Sequence, residues 1–155
     1  MTTLRDNRDP RPVVTVATIV ARDGAFLCVE EETRAGRRLN QPAGHVEGGE
    51  TILAAAIRET LEETRYEVEP TELVGIYRWQ AHAGAPTFVR FAFAARVTAH
   101  HPGRSLDTGI VRAEWLSYES LAARQEDHRS PLVLRCVDDY LAGRRLPLSL
   151  LTELT

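Results

Sequence analysis

The chain of 155 residues has only two cysteines, Cys28 and Cys136. They stand far apart in no ligand-like spacing, which argues against a disulfide framework and against a cysteine-built metal site. Cys28 falls in an apolar strand and Cys136 on a predicted helix, so both read as buried free thiols. No apolar stretch opens the sequence: "MTTLRDNRDPRP" is polar and broken by proline, unlike a secretory leader. No run approaches the length needed to span a membrane. Excess positive charge is also missing. A net charge of -3 argues against a partner that is a nucleic-acid polymer, which usually meets a basic surface. A small phosphorylated substrate stays open, because a metal can supply positive charge locally. Repeats, low-complexity tracts and interdomain linkers are absent, and no Ser-His-Asp or Cys-His pattern has supporting context. These absences lead us to expect a cytoplasmic protein, one domain over residues 1–155, monomeric or homodimeric.

What is present is ordinary globular material, with 43% apolar and 26% charged residues and length enough for a sizeable core. Residues 1–12 read as a flexible polar arm. "VVTVATIVA" (13–21) and "AFLCVE" (25–30), separated by "ARDG", predict a β-hairpin. "ETRAGRR" (32–38) reads as a basic loop. "ELVGIYRWQ" (72–80) and "TFVRFAFAARV" (87–97) predict strands joined by the turn "AHAGAP", and "RAEWLS" (112–117) a short strand. "YESLAARQ" (118–125) and "SPLVLRCVDDYLAGRR" (130–145) predict helices, the second capped by Ser130 and stopped at Gly143. Helices interleaved with a mixed set of strands imply a layered α/β or α+β domain.

Between these lies "GHVEGGETILAAAIRETLEETRY" (44–66). From Thr51, which can cap, though Glu50 or Gly49 could also mark the boundary, the period becomes helical, with Leu53, Ala56, Ile57, Thr60, Leu61 and Thr64 on one face. Glu59, Glu62 and Glu63 gather on another, through spacings of three and four. The basic residues here are Arg58 and Arg65, so the usual lysine partners are missing. The acids also sit toward the helix C-terminus, where the macrodipole disfavours negative charge. A Gly-rich turn precedes the helix and can bring backbone close to a ligand. Carboxylates with a backbone carbonyl make a hard-oxygen set suited to Mg²⁺ or Mn²⁺. Spacing alone leaves both a metal site and a solvated acidic face open.

Gly44, Glu50 and "RETLEETRY" resemble the Nudix hydrolase box, G-x5-E-x7-R-E-U-x-E-E-x-G-U, where U is apolar. The resemblance implies a Nudix fold, an α/β/α sandwich around a central mixed sheet. It further implies that Glu59, Glu62 and Glu63 hold the metal with the Gly44 carbonyl, and that Arg58 and Glu50 pair to lock the helix against the loop. The proton acceptor stays open among Glu62, Glu63 and an acid outside the box, for which Asp107 is the candidate. Thr60 stands where an apolar residue is usual. Arg65 replaces the family's glycine, and Tyr66 an aliphatic. An arginine would be strained as a left-handed cap, so we expect the chain to leave the helix differently or the helix to run on by part of a turn.

"VTVATIV", "FLCVEEE", "NQPAGHVEGGET", "TFVRFAF", "EWLS" and "RSPLVLRCVDDYLAGRRLPL" resemble the bacterial Nudix phosphatases of the J type. That resemblance implies Mg²⁺-dependent, stepwise release of orthophosphate from hydroxymethylpyrimidine pyrophosphate, nucleoside di- and triphosphates and thiamine pyrophosphate. The alternatives are a nucleoside triphosphate or dinucleotide pyrophosphohydrolase, or a nucleotide-binding module without catalysis. Trp79 and Tyr77, two apart in a strand, could stack on a base or pack in the core. Arg90 interrupts an apolar strand and needs an anionic or carbonyl partner, a phosphate or Asp107 among them. Arg34, Arg37 and Arg38 could attract phosphate or lie solvated, and Asp107 could be an ordinary turn residue.

Overall fold

Asp23 and Gly24 both take positive φ, 52° and 76°, the geometry of a tight hairpin turn whose twist suits the flanking strands. They join β1 (Val13–Arg22) to β2 (Ala25–Thr33). The computed structural model describes residues 11–154, and the expected arm lies outside them except for Arg11 and Pro12. The remaining elements are β3 (Gly36–Asn40), β4 (Ala43–His45), α1 (Ile52–Thr64), β5 (Tyr66–Gln80), β6 (Thr87–His100), β7 (Ile110–Ser117), α2 (Tyr118–Ala123) and α3 (Leu132–Leu141). Single 3₁₀ turns occupy Gln125–Asp127 and Leu148–Leu150. Among the described residues no helix is long and apolar enough to cross a membrane.

The seven strands form a mixed sheet with the order β3-β2-β1-β6-β5; β4 pairs with β1 and β7 with β2. Only β1 and β6 run parallel. β1 is buried along most of its length, as expected for a strand covered on both faces. Side chains alternate between those faces. Val16, Leu73 and Phe93 pack with Ala55 and Ala56 of α1. Their neighbours in sequence, Val74, Ala92 and Ala94, together with Ile19 of β1, pack with Val133, Cys136 and Val137 of α3 and Leu121 of α2. Helices therefore cover both faces of the sheet, the expected α/β/α layering.

Three local expectations are corrected. The basic loop at 32–38 is mostly strand: β2 runs to Thr33 and β3 begins at Gly36. Among the charges that made it look like loop, Arg37 stands opposite Glu32 and bonds it at 2.8 Å, and opposite charges stabilise such cross-strand pairs. β5 begins at Tyr66 rather than 72, and passes Pro70 through register shifts at Glu67/Val68 and Pro70/Glu72. Proline fits there because β5 is an edge strand. Finally, α1 ends where the family's helix would, because Arg65 itself takes the left-handed conformation, φ 66° and ψ 6°, and its N–H closes on the Leu61 carbonyl.

The chain after α3 returns to α1. Leu148 and Leu151 pack into the core beneath that helix, and Glu153 Oε1 accepts the Ile52 N–H at 2.6 Å. Thr51 Oγ1 accepts from Ala54 N–H at 3.0 Å, so two side chains share the free amides of the first turn.

Candidate active site

Helix α1 stands upright in its place through Thr60, whose hydroxyl donates to the Ala56 carbonyl and meets Thr18 Oγ1 of β1 at 2.8 Å. The departure from an apolar residue at position 60 is thus matched by a hydroxyl on the sheet. This packing turns Glu59 and Glu63 toward β4. A Cβ added at Gly44 would lie 2.1 Å from Glu59 Cδ, so only glycine lets the backbone of β4 approach that carboxylate. Glu63 is 6% exposed, and its Oε1 accepts the Ala43 N–H at 2.7 Å. Glu62 lies on the more open side.

Arg58 organises the acids. Its Nε and Nη2 bond both oxygens of Glu50, at 2.9 and 2.7 Å, a two-pronged pairing that fixes orientation. Nη1 reaches Glu59 at 2.9 Å and Glu62 at 3.2 Å, and Nη2 also donates to the His45 carbonyl. Glu50 Oε1 in turn accepts the Glu47 N–H. The guanidinium therefore ties turn, strand and helix together. Arg65 forms no ion pair with this cluster among the described residues.

The site is short of positive charge. Burial, first of all, pushes the Glu59 carboxyl up to about 7, with Glu62 and Asp107 adding repulsion and Arg58 opposing. Burial likewise pushes Glu63 up to about 9, against the Ala43 amide and with help from Glu59, Glu31 and Asp107. Glu50 moves the other way, held below the carboxylate range chiefly by its bonds from Arg58. Hard carboxylate oxygens and an uncompensated negative field suit a divalent cation. Among the described residues no cluster of three acid, histidine or cysteine side chains forms a ready-made cage; Arg58 and the Ala43 amide engage oxygens of Glu59, Glu62 and Glu63.

Beside Gly44 and His45 opens a cavity of about 430 Å³. Arg90 and Trp79 line it, whereas Tyr77, Arg38 and Asp107 do not. Tyr77 packs in the core and donates its hydroxyl to Asp139 at 2.8 Å. Arg38 bonds the Arg37 carbonyl at the surface. Asp107 docks its backbone N–H on the Glu62 carbonyl at 2.9 Å, which brings its charge near the acids. Arg90, 6% exposed, donates to Gln41 Oε1 and Asn40 Oδ1, and its Nε has no partner. Of the partners considered for it, carbonyl oxygens are present in these two amides, and Asp107 is not bonded to it. Glu31, Asn40 and Arg129 also line the cavity, though nothing in their sequence context marked them; only the polar pair Asn40-Gln41 at a strand end offered a signal.

Comparison with known proteins bears on this site. The model of the NUDIX domain matches residues 9–136. The "Phosphatase NudJ" proteins of Escherichia coli (strain K12) and Shigella boydii are each 38% identical over 143 residues, covering 92% of both chains. A solved "NUDIX hydrolase from Nitrosomonas europaea" is 47% identical and superposes with a TM-score of 0.90, covering 93% of this chain and 98% of that one.

Proposed function

The chain belongs to the Nudix family and is a phosphohydrolase of the J-type phosphatase group, and from that premise we propose that it is a Mg²⁺-dependent phosphatase. It releases orthophosphate from hydroxymethylpyrimidine pyrophosphate and from nucleoside di- and triphosphates. Mn²⁺ would serve in place of Mg²⁺, and the two buried free thiols suit action in the cytoplasm.

One observation carries the reading: the Glu59 carboxylate lies against Gly44, and Gly44 also lines the cavity. That adjacency supports reading the acids and the cavity as one site. Glu59, Glu62, Glu63 and the Gly44 carbonyl would hold the ion. When bound, a divalent ion neutralises phosphate charge and makes water more acidic. Arg58 and Glu50 keep the acidic face turned to the cavity, and Glu63, Glu62 or nearby Asp107 takes the proton. Trp79 offers a flat surface to the substrate ring, stacked at 6.0 Å on Phe88, and Arg90 offers donors beside it.

The test is to incubate the protein with Mg²⁺ and hydroxymethylpyrimidine pyrophosphate, beside a nucleoside triphosphate panel, assaying orthophosphate and pyrophosphate separately. Stepwise orthophosphate release, lost on chelation, is expected. Pyrophosphate as the product would instead make it a pyrophosphohydrolase.

A further inference from the structure

The cavity lining is of two kinds. Trp79 and Phe88 supply a flat apolar surface, stacked at an interplanar angle of 25°. Arg90, Asn40 and Glu31 supply polar groups. Arg90 Nη2 donates to Asn40 Oδ1 at 3.3 Å, and Asn40 and Arg90 both favour the charged form of the nearby Glu31 carboxylate.

Neither Arg90 nor Glu31 is fully engaged. A guanidinium carries five N–H donors and no acceptor. Arg90 spends two on the Gln41 and Asn40 amides and lies against the Cys136 thiol, yet Nε has no partner. Among the described residues no carboxylate lies within ion-pair distance of Arg90, and the ion pair of Glu31 is a long one, with Arg129 at 3.7 Å. A buried cation left with amide partners is costly, and a ligand acceptor in the cavity that Arg90 lines would add to those partners. Glu31, ionised, can only accept.

We propose that this cavity selects a heterocycle carrying an exocyclic amino group beside a ring acceptor, with Glu31 accepting from the amino group and Arg90 donating to the neighbouring acceptor. Cytosine and adenine present that pair of groups, and uracil presents the reverse. The ring lies on the Trp79 face, with its phosphates toward Gly44 and Glu59. Placing the phosphates rests on the proposed hydrolase function; reading the ring edge does not.

The experiment compares CTP with UTP as substrates of the wild-type protein and of Glu31→Gln. A missing hydrogen bond in a site built to make it rejects the wrong partner strongly, so kcat/KM should favour CTP by at least about tenfold. A glutamine can accept or donate, so Glu31→Gln should gain on UTP and bring the ratio near unity. A merely structural glutamate would, when changed, lower both substrates alike; that result, or no preference in the wild type, overturns the proposal. A second arm follows melting temperature with CMP and UMP, which need no turnover. Preference for CMP without hydrolysis of either triphosphate would defeat the hydrolase reading and leave this one standing. Hydrolysis with no preference in either arm would do the opposite.

Discussion

Glu59 and Gly44 fit together so closely that a single methyl group at residue 44 would occupy the space of the carboxylate, 2.1 Å from its Cδ. Gly44→Ala must push either β4 or the Glu59 side chain aside. Misplacement of a catalytic group by about 1 Å can cost on the order of 100-fold in rate, and a loss of that size in kcat is expected. Circular dichroism should show the fold retained. Unchanged kcat would detach Glu59 from the site.

Arg58 concerns orientation rather than chemistry. Lysine keeps the charge but cannot span both Glu50 oxygens and reach Glu59 as the guanidinium does. Arg58→Lys should lower activity or Mg²⁺ affinity by about 10–100-fold, the usual cost of removing a group that orients metal ligands. Metal titration of the purified variant measures it directly.

Acidity and stability are linked here with a definite sign. Glu59 and Glu63 sit at about 7 and about 9 in the folded chain, against an ordinary value of 4.5. The folded state then holds protons that the unfolded state has released, so metal-free stability falls as pH rises from 4.5 toward 9. The ion favours the deprotonated acids. Melting curves in chelator should therefore shift down across that range, while the gain on adding Mg²⁺ grows. A gain that is constant with pH would contradict the assignment.

Arg65 holds a left-handed φ of 66°, a conformation that costs a residue with a Cβ roughly 1–2 kcal/mol relative to the right-handed one. Its Nε is also buried without a partner. Arg65→Gly should raise stability by about 1 kcal/mol in chemical denaturation and leave the metal requirement intact. A destabilised variant would mean that the arginine makes up the strain through its packing.

At the other end of α1, Glu153→Ala removes the acceptor of the Ile52 N–H. Loss of a helix cap typically costs about 0.5–2 kcal/mol, and thermal melting should register it.

The parts of the molecule readable from sequence were those where local chemistry and tertiary structure agree. Asp23-Gly24 could hardly be anything but a hairpin turn, helical spacing gathered Glu59, Glu62 and Glu63 on one face, and the resemblance to the Nudix box implied the Glu50–Arg58 pairing. Legibility failed where partners are distant. Arg37 and Arg38 look like loop until Glu31 and Glu32 stand opposite them, and Pro70 hides a strand until its edge position is known. Trp79 and Tyr77 are indistinguishable by alternation and both pack against the core; they differ in that Tyr77 bonds Asp139, 62 residues away, while Trp79 also lines the cavity. Glu31 carried no signal at all, since its neighbours Glu30 and Glu32 are also glutamates that serve arginines on the outer sheet.

The bond between Glu153 and the Ile52 amide spans 101 residues of chain, which has a consequence for biosynthesis. Helix α1 leaves the ribosome early, while its cap is among the later residues to be made. At about 5–20 residues per second, the interval is about 5–20 s. A nascent chain during that time carries its cluster of acids on a helix whose first turn is not yet tied down, and the tie is made only after β5, β6 and α3 have been translated. Completion of the acidic site thus waits on synthesis of nearly the whole sheet beneath it.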